Sequence, residues 1–325
     1  MKVPEPLRYI FNRFPLKTFP AIEDNTHHQE NEFFFGLNEA SSCNEQDQKF
    51  CLGVHNIQPV SIKGEKKYIP TDPVSLGNCL ILCFRNNLFL PSKGKQPLSR
   101  NSMRLMSYLI SDSKELPVLI ETNGSRTESI TDSKSFAQSV SLKYFSKDLQ
   151  GFLINHLLDN LNDLWILILL VDVHESGSFD YSKLFYQDPE IASNKITNSL
   201  TTMKLVADIP YWTSFKIRYP HLFHSHLSTN LSGESLRDLI NSFNSKAIEE
   251  TCIEKLQDFE RTIPLVNKYL ESIEESDSRS IIELKFASFV FVTSTFISKS
   301  SHIGRLLEFK FKDVISFSKE VISRY

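Results

Sequence analysis

The spacing of apolar positions changes character twice along the chain. In residues 1–22, Leu7, Ile10, Phe11 and Phe14 recur at helical spacing until Pro15 stops the run. From Phe50 the pattern becomes one of short apolar runs separated by turn residues. Residues 50–57 (FCLGVHNI) read as a strand. Asp72 before Pro73 is N-cap and first-turn chemistry, and Leu76, Cys79, Leu80, Cys83 and Phe84 then fall along one face of a helix reaching about Asn86. Residues 103–110 (MRLMSYLI) read as a second strand, with 88–102 an insertion of turn residues before it. Residues 118–121 form a short third strand introduced by Leu116-Pro117, and 126–130 a fourth after the turn at Asn123-Gly124. Asp132 or Ser133 caps a helix running to about Ser146. Beyond Leu149 the period is helical: 149–173, about 191–208, 234–247, 249–274, 280–298 and 304–323.

Strand, helix, strand, then strand, strand, helix is the element order of a thioredoxin-like unit. The predicted fold class is therefore α/β plus all-α. The predicted organisation is an N-terminal arm (1–22), an acidic linker (23–48), a thioredoxin-like domain (49–147) and an all-helical domain (148–325).

Composition narrows the function classes. Of 325 residues, 41% are hydrophobic and 23% charged, which is ordinary for a globular chain. Gly 10 against Phe 25 favours packed helices over a turn-rich all-β fold. Lys+Arg 36 against Asp+Glu 39 leaves a net charge of -3, so no basic excess points to nucleic acid. Charge is nonetheless uneven. Lys2, Arg8, Arg13 and Lys17 outnumber Glu5 in the arm, whereas 23–47 holds seven acids and no Lys or Arg, the composition of a solvated loop. The five cysteines (Cys43, Cys51, Cys79, Cys83, Cys252) fit no disulfide framework and imply a reducing compartment.

Membrane and targeting signals are expected to be absent. The longest wholly apolar run, 164–171, is bounded by Asp163 and Asp172 and is far shorter than the ~20 residues of a spanning helix. Residues 281–297 carry Glu283 and Lys285; both stretches read as buried core helices. Pro4, Pro6, Pro15 and Pro20 spoil the N-terminus as signal peptide or presequence, and 308–325 is charged on every turn, which excludes a tail anchor.

Candidate chemistry is sparse. His221, His224 and His226 lie within HLFHSH, but the next acid is Glu234, so no ligand set is completed and no metal is expected. Cys79 and Cys83, four apart on an apolar helix face, read as core cysteines. There is no Gly-rich phosphate loop, no Gly-x-Ser-x-Gly and no His-Glu-x-x-His. No catalytic residue and no cofactor are predicted.

Two motifs carry a resemblance. Glu115-Leu116-Pro117-Val118-Leu119-Ile120-Glu121 resembles the element of glutathione-transferase-like folds in which a cis proline opens strand three. Asp132-Ser133-Lys134-Ser135-Phe136 is similar to the step that opens the following helix. Closer still, Ile10-Phe11-Asn12-Arg13-Phe14-Pro15-Leu16-Lys17-Thr18-Phe19, Leu52-Gly53-Val54-His55-Asn56, Thr71-Asp72-Pro73, Asn86-Asn87-Leu88-Phe89-Leu90-Pro91 and Leu284-Lys285-Phe286-Ala287-Ser288-Phe289 resemble, in order, the metaxin branch of that superfamily. Within it they are most similar to the fungal 35-kilodalton subunits of the mitochondrial sorting and assembly machinery. The resemblance implies a glutathione-transferase-like fold and a peripheral, non-enzymatic subunit on the cytosolic face of the mitochondrial outer membrane. It implies association with a β-barrel channel subunit and a second metaxin-like subunit, and handling of β-barrel precursors by their β-signal. Arg8, Phe11, Arg13 and Phe14 are the candidate partner-binding residues, with packing of the arm on its own domain the alternative. Pro117 and Ser133 are structural candidates. Ser133 matches the position that holds glutathione in transferases, and a helix-capping role is preferred. The rival readings are an atypical glutathione-transferase-like enzyme, which needs Ser61 or a thiol brought to the end of strand one from a long loop, and a cytosolic scaffold of the same fold.

Overall fold

The computed structural model describes residues 32–37, 48–93, 98–113, 115–123, 126–176, 184, 211–223 and 244–325. Arm residues Arg8, Phe11, Arg13 and Phe14, the expected helix at 191–208, most of 234–247, and His224 and His226 lie outside them. The chain divides into two units, Met1–Glu32 and Phe33–Tyr325.

A six-stranded sheet has the order β5-β1-β6-β2-β7-β8. Its strands are β1 (Glu32–Leu37), β2 (Gln48–Val54), β5 (Leu88–Phe89), β6 (Leu98–Leu105), β7 (Val118–Asn123) and β8 (Arg126–Asp132). β2 runs parallel to β6 and antiparallel to β7, and β7 antiparallel to β8. With α1 (Pro73–Asn86) and α2 (Ser133–Phe145), this is compatible with a thioredoxin-like unit. Everything described after α2 is helical: α3 (Leu149–Asp159), α4 (Leu161–Ser176), α5 (Trp212–Arg218), α6 (Ser245–Ser272), α7 (Asp277–Phe296), α8 (His302–Lys310) and α9 (Lys312–Ser323).

Local signals set several boundaries. Asp72 caps α1, its carboxylate accepting the Ser75 N–H at 2.7 Å, and Pro73 fills the first turn. Asn87 ends the helix in the left-handed region at φ 52°. The Leu116-Pro117 peptide is cis at the mouth of β7, as the resemblance implied.

Other expectations are corrected. The acidic 23–47 stretch, read as a loop, contains β1, which buries Phe35 against Phe50 with ring centroids 5.7 Å apart. The first core strand ends at Val54, and Ile57 opens a separate hairpin of β3 (Ile57–Ile62) and β4 (Glu65–Pro70). Its turn is Lys63-Gly64, both at positive φ, the geometry that matches strand twist. Ser61 thus lies in a strand. The second strand begins earlier than 103, at Leu98, and Tyr108–Ile110 is a 3-10 turn started by the Ser107 hydroxyl. The helix expected over 149–173 breaks at Asn160, and that over 304–323 at Phe311.

One apolar core joins sheet and helices. Central α7 packs on α1, α2, α3, α6, α8 and α9, with Ile281, Phe286, Val290 and Val292 fully buried. At the α1–α7 crossing Gly77 meets the Ser288 side chain. The Leu90 N–H donates to Tyr325 O at 2.7 Å, so the last residue backs onto the sheet region. Residues 149–171 are, contrary to expectation, long and apolar enough to cross a membrane; 78% of that window is buried inside the protein.

Candidate functional site

A thioredoxin-like fold presents its reactive group just after the first core strand, and here that residue is His55. The β3–β4 hairpin returns Thr71-Asp72 to this point, the Thr71 N–H donating to Asn56 O at 3.3 Å. His55 Nδ1 lies 3.3 Å from Asp72 Oδ2, with the two side chains 5% and 2% exposed. His55 Nε2 lies 3.2 Å from Thr71 Oγ1 and 3.2 Å from Leu184 O. The Thr71 hydroxyl donates to Leu184 O at 2.8 Å. Both ring nitrogens therefore face oxygen atoms. The imidazole fastens the backbone at Leu184 to the end of β2 and is shut off from solvent. Ser61 stands four residues along β3, at the turn end of the hairpin and exposed, roughly 13 Å of strand away from Ile57. No hydroxyl of β3 reaches the His55 position.

The second half of the site gathers around α2. Ser133 is its first residue, and the cap is Asp132, which accepts the Ser135 N–H at 2.7 Å. This corrects the capping role preferred for Ser133. Its Oγ instead lies 3.0 Å from the Tyr211 hydroxyl. Burial pushes the Tyr211 phenol well above its ordinary range, only partly offset by Ser133, so it stays protonated and one hydroxyl donates to the other. Sequence reasoning missed Tyr211 and Thr71. No local pattern marks Tyr211, whose partner is 78 residues away; Thr71 was visible only as the neighbour of a capping Asp-Pro.

Between α1, α2, α5 and α7 lies a cavity of about 300 Å³ whose walls include Asn78, Lys134, Tyr211, Arg218, Lys285 and Phe289. Its cations are mostly spent internally. Lys285 Nζ donates to Asn155 and Asp159, each at 2.7 Å. Arg218 is held by Asp163, which also accepts the Tyr219 hydroxyl at 3.1 Å. The volume sits at the lower bound for ligand pockets.

Cys79, Cys83 and Cys252 are buried. Burial, with Cys79 beside it, raises the Cys83 thiol well above its ordinary value, so thiolate is scarce. His221 sits in a 3-10 turn against the Tyr219 ring. Among the described residues no three His, Cys, Asp or Glu side chains gather as a metal site.

One surface of the helical part stands out. On α3, Gly151, Ile154, Asn155 and Leu158 are buried. Leu149, Phe152 and Leu153, at i, i+3 and i+4, face outward at 74%, 46% and 56% exposure. Leu142 on α2 is also exposed. Exposed Glu271 at the end of α6, Glu274 and Glu275 in the turn that follows, and Asp277 at the start of α7 gather at one corner, which the Tyr269 hydroxyl ties to Asp148 at the start of α3. None of these four acids has an ion-pair partner among the described residues. An apolar helix face with a charged rim has the anatomy of a protein contact.

Residues 1–121 match the model of a family described as SAM35, subunit of the SAM complex. Over 339 residues the chain is 20% identical to the sorting assembly machinery 35 kDa subunit of Saccharomyces cerevisiae, covering 99% of this chain and 98% of that one. The likeness to the 35-kilodalton subunits read from the residues holds: residues 1–121 match the SAM35 family model, and the similarity to that subunit runs almost end to end.

Proposed function

We propose that this chain, which carries the SAM35 family's region, is a non-enzymatic subunit of a sorting and assembly machinery at the mitochondrial outer membrane. In this reading it binds β-barrel precursors through their β-signal and promotes their insertion. The observation that carries it is the near-complete mutual coverage with the 35 kDa subunit, added to the family match. The closed His55 position supports a binding role over transferase chemistry, because an imidazole 5% exposed and bound to Asp72, Thr71 and Leu184 has no room beside it for a thiol substrate. A precursor's last strand is extended and amphipathic, with unpaired N–H and C=O groups, and such a segment is held by strand addition or in an apolar groove. The subunit is peripheral on the cytosolic face. Protein contacts to a β-barrel channel subunit and a second metaxin-like subunit hold it there, with the outward face of α3 and arm residues Arg8, Phe11, Arg13 and Phe14 as the contact candidates.

The test is a tagged pull-down from gently solubilised mitochondria, with co-eluting proteins identified. Stoichiometric recovery of a β-barrel channel subunit is expected, and crosslinking to a precursor's last strand then probes recognition. Recovery of the chain alone, in the soluble fraction, overturns the reading.

A further inference from the structure

The α8–α9 corner combines an unusual apolar tip with an excess of cations. Phe309, in the last turn of α8, is 86% exposed, more than any other large apolar side chain among the described residues. Arg305 precedes it by one turn on the same face. Lys310 and half-buried Phe311 follow, Lys312 opens α9, and Lys319 lies two turns along that helix. Glu308 is enclosed by this set. Its carboxylate takes Lys299 Nζ at 2.8 Å. It is held below the ordinary carboxylate range first by that hydrogen bond and charge, then by Lys312 and Lys319. Lys310 is paired with Glu260. Arg305, Lys312 and Lys319 have no carboxylate partner among the described residues. Asp313 and Glu320, the latter 3.8 Å from Arg324, are the other acids of α9.

A projecting aromatic ring one turn from Arg305, on a corner that also carries Lys312 and Lys319, suits a soft anionic surface better than a shaped protein partner. The outward face of α3 makes the contrast: it is broader and apolar, but its four unpaired acids repel anionic headgroups. We infer that the α8–α9 corner contacts the surface of an anionic lipid bilayer directly, Phe309 entering the headgroup region while Arg305, Lys312 and Lys319 face lipid phosphates. A single ring and a few cations give reversible binding rather than anchoring. The inference is independent of the assembly reading, because it concerns this chain and lipid alone.

The test is co-sedimentation of the purified full chain with phosphatidylcholine vesicles, with and without roughly 30% phosphatidylserine as the anionic lipid. Binding is expected only to the anionic vesicles, and it should disappear as salt approaches about 1 M, where screening is nearly complete. Phe309→Ser should weaken it about tenfold, and Lys312→Glu with Lys319→Glu by at least about tenfold. Both sites are exposed, so circular dichroism should be unchanged. Ile130→Ser, at an exposed apolar position on β8, should bind as the unaltered chain does. Absence of binding, equal binding to neutral vesicles, or variants without effect overturns the inference. So does membrane binding that appears only when a protein partner is added, which would assign the corner to an acidic protein surface.

Discussion

Asp148 concentrates much of the residue-scale energetics. Burial alone would raise its carboxyl, but hydrogen bonds from Tyr269, the Gly151 N–H and Ser278 outweigh it and hold the group below its ordinary 3.8. A depressed carboxyl stabilises the fold above its unfolded value, and that contribution is lost as pH falls through the lower folded one. Asp148→Ala should therefore cost about 1–3 kcal/mol at neutral pH, through a lost helix cap and the loss of one of the two hydrogen bonds of the Tyr269 phenol. The gap from the unaltered chain should narrow in acid, as read by urea midpoints at the two pH values. The tyrosines act in the opposite direction. Burial first, and neighbouring carboxylates second, push Tyr219 and Tyr269 up to about 12; burial does the same for Tyr325. Phenols raised above their ordinary 10 keep their full contribution below that pH and lose it as pH climbs toward about 12. Tyrosinate absorbance should accordingly lag behind that of the denatured chain and rise together with unfolding.

Helices and strands differ in how far the chain announces them. α1 is written locally, in Asp72-Pro73 and an apolar stretch, and α7 in its dense Phe and Val content. β1 was hidden because the acids around Glu-Phe-Phe-Phe-Gly-Leu dominate its window, while its partners β5 and β6 lie about fifty and sixty residues on. The β3–β4 hairpin was hidden by Pro59 and by Glu65-Lys66-Lys67. These are poor strand residues, tolerated because the pair forms its own two-stranded sheet. The His55 cluster was half legible: Asp72 stood out as the cap of α1, but the closure of His55 by Leu184 did not, because that contact spans 129 residues. The docking of α8 rests on one close approach. A Cβ on Gly304 would come within 2.3 Å of Ser298 O and 2.8 Å of Lys299 Cα, both backbone. Gly304→Ala should cost about 1–3 kcal/mol, since the obstacle cannot rotate away. Thermal denaturation would read this directly, and an unchanged midpoint would contradict the geometry.

For the molecule as a whole, the continuity of the core sets the cooperativity. α7 joins α1 and the sheet region to α6, α8 and α9, and the Phe259 ring packs tilted against Phe289 with centroids 5.2 Å apart. The part from Phe33 onward should melt in one calorimetric transition with equal van't Hoff and calorimetric enthalpies; two resolved transitions would separate sheet from helices. The sheet also imposes a timetable. β1 leaves the ribosome first of the described strands, yet the earliest of its two neighbours, β5, begins only at Leu88, about 50 residues later. At elongation rates of about 5–20 residues per second, that is a wait of roughly 3–10 s. For those seconds the nascent chain carries three consecutive phenylalanines in a strand with nothing to pair with. The aromatic segment that completes the sheet is thus also the one most in need of shelter while the protein is being made.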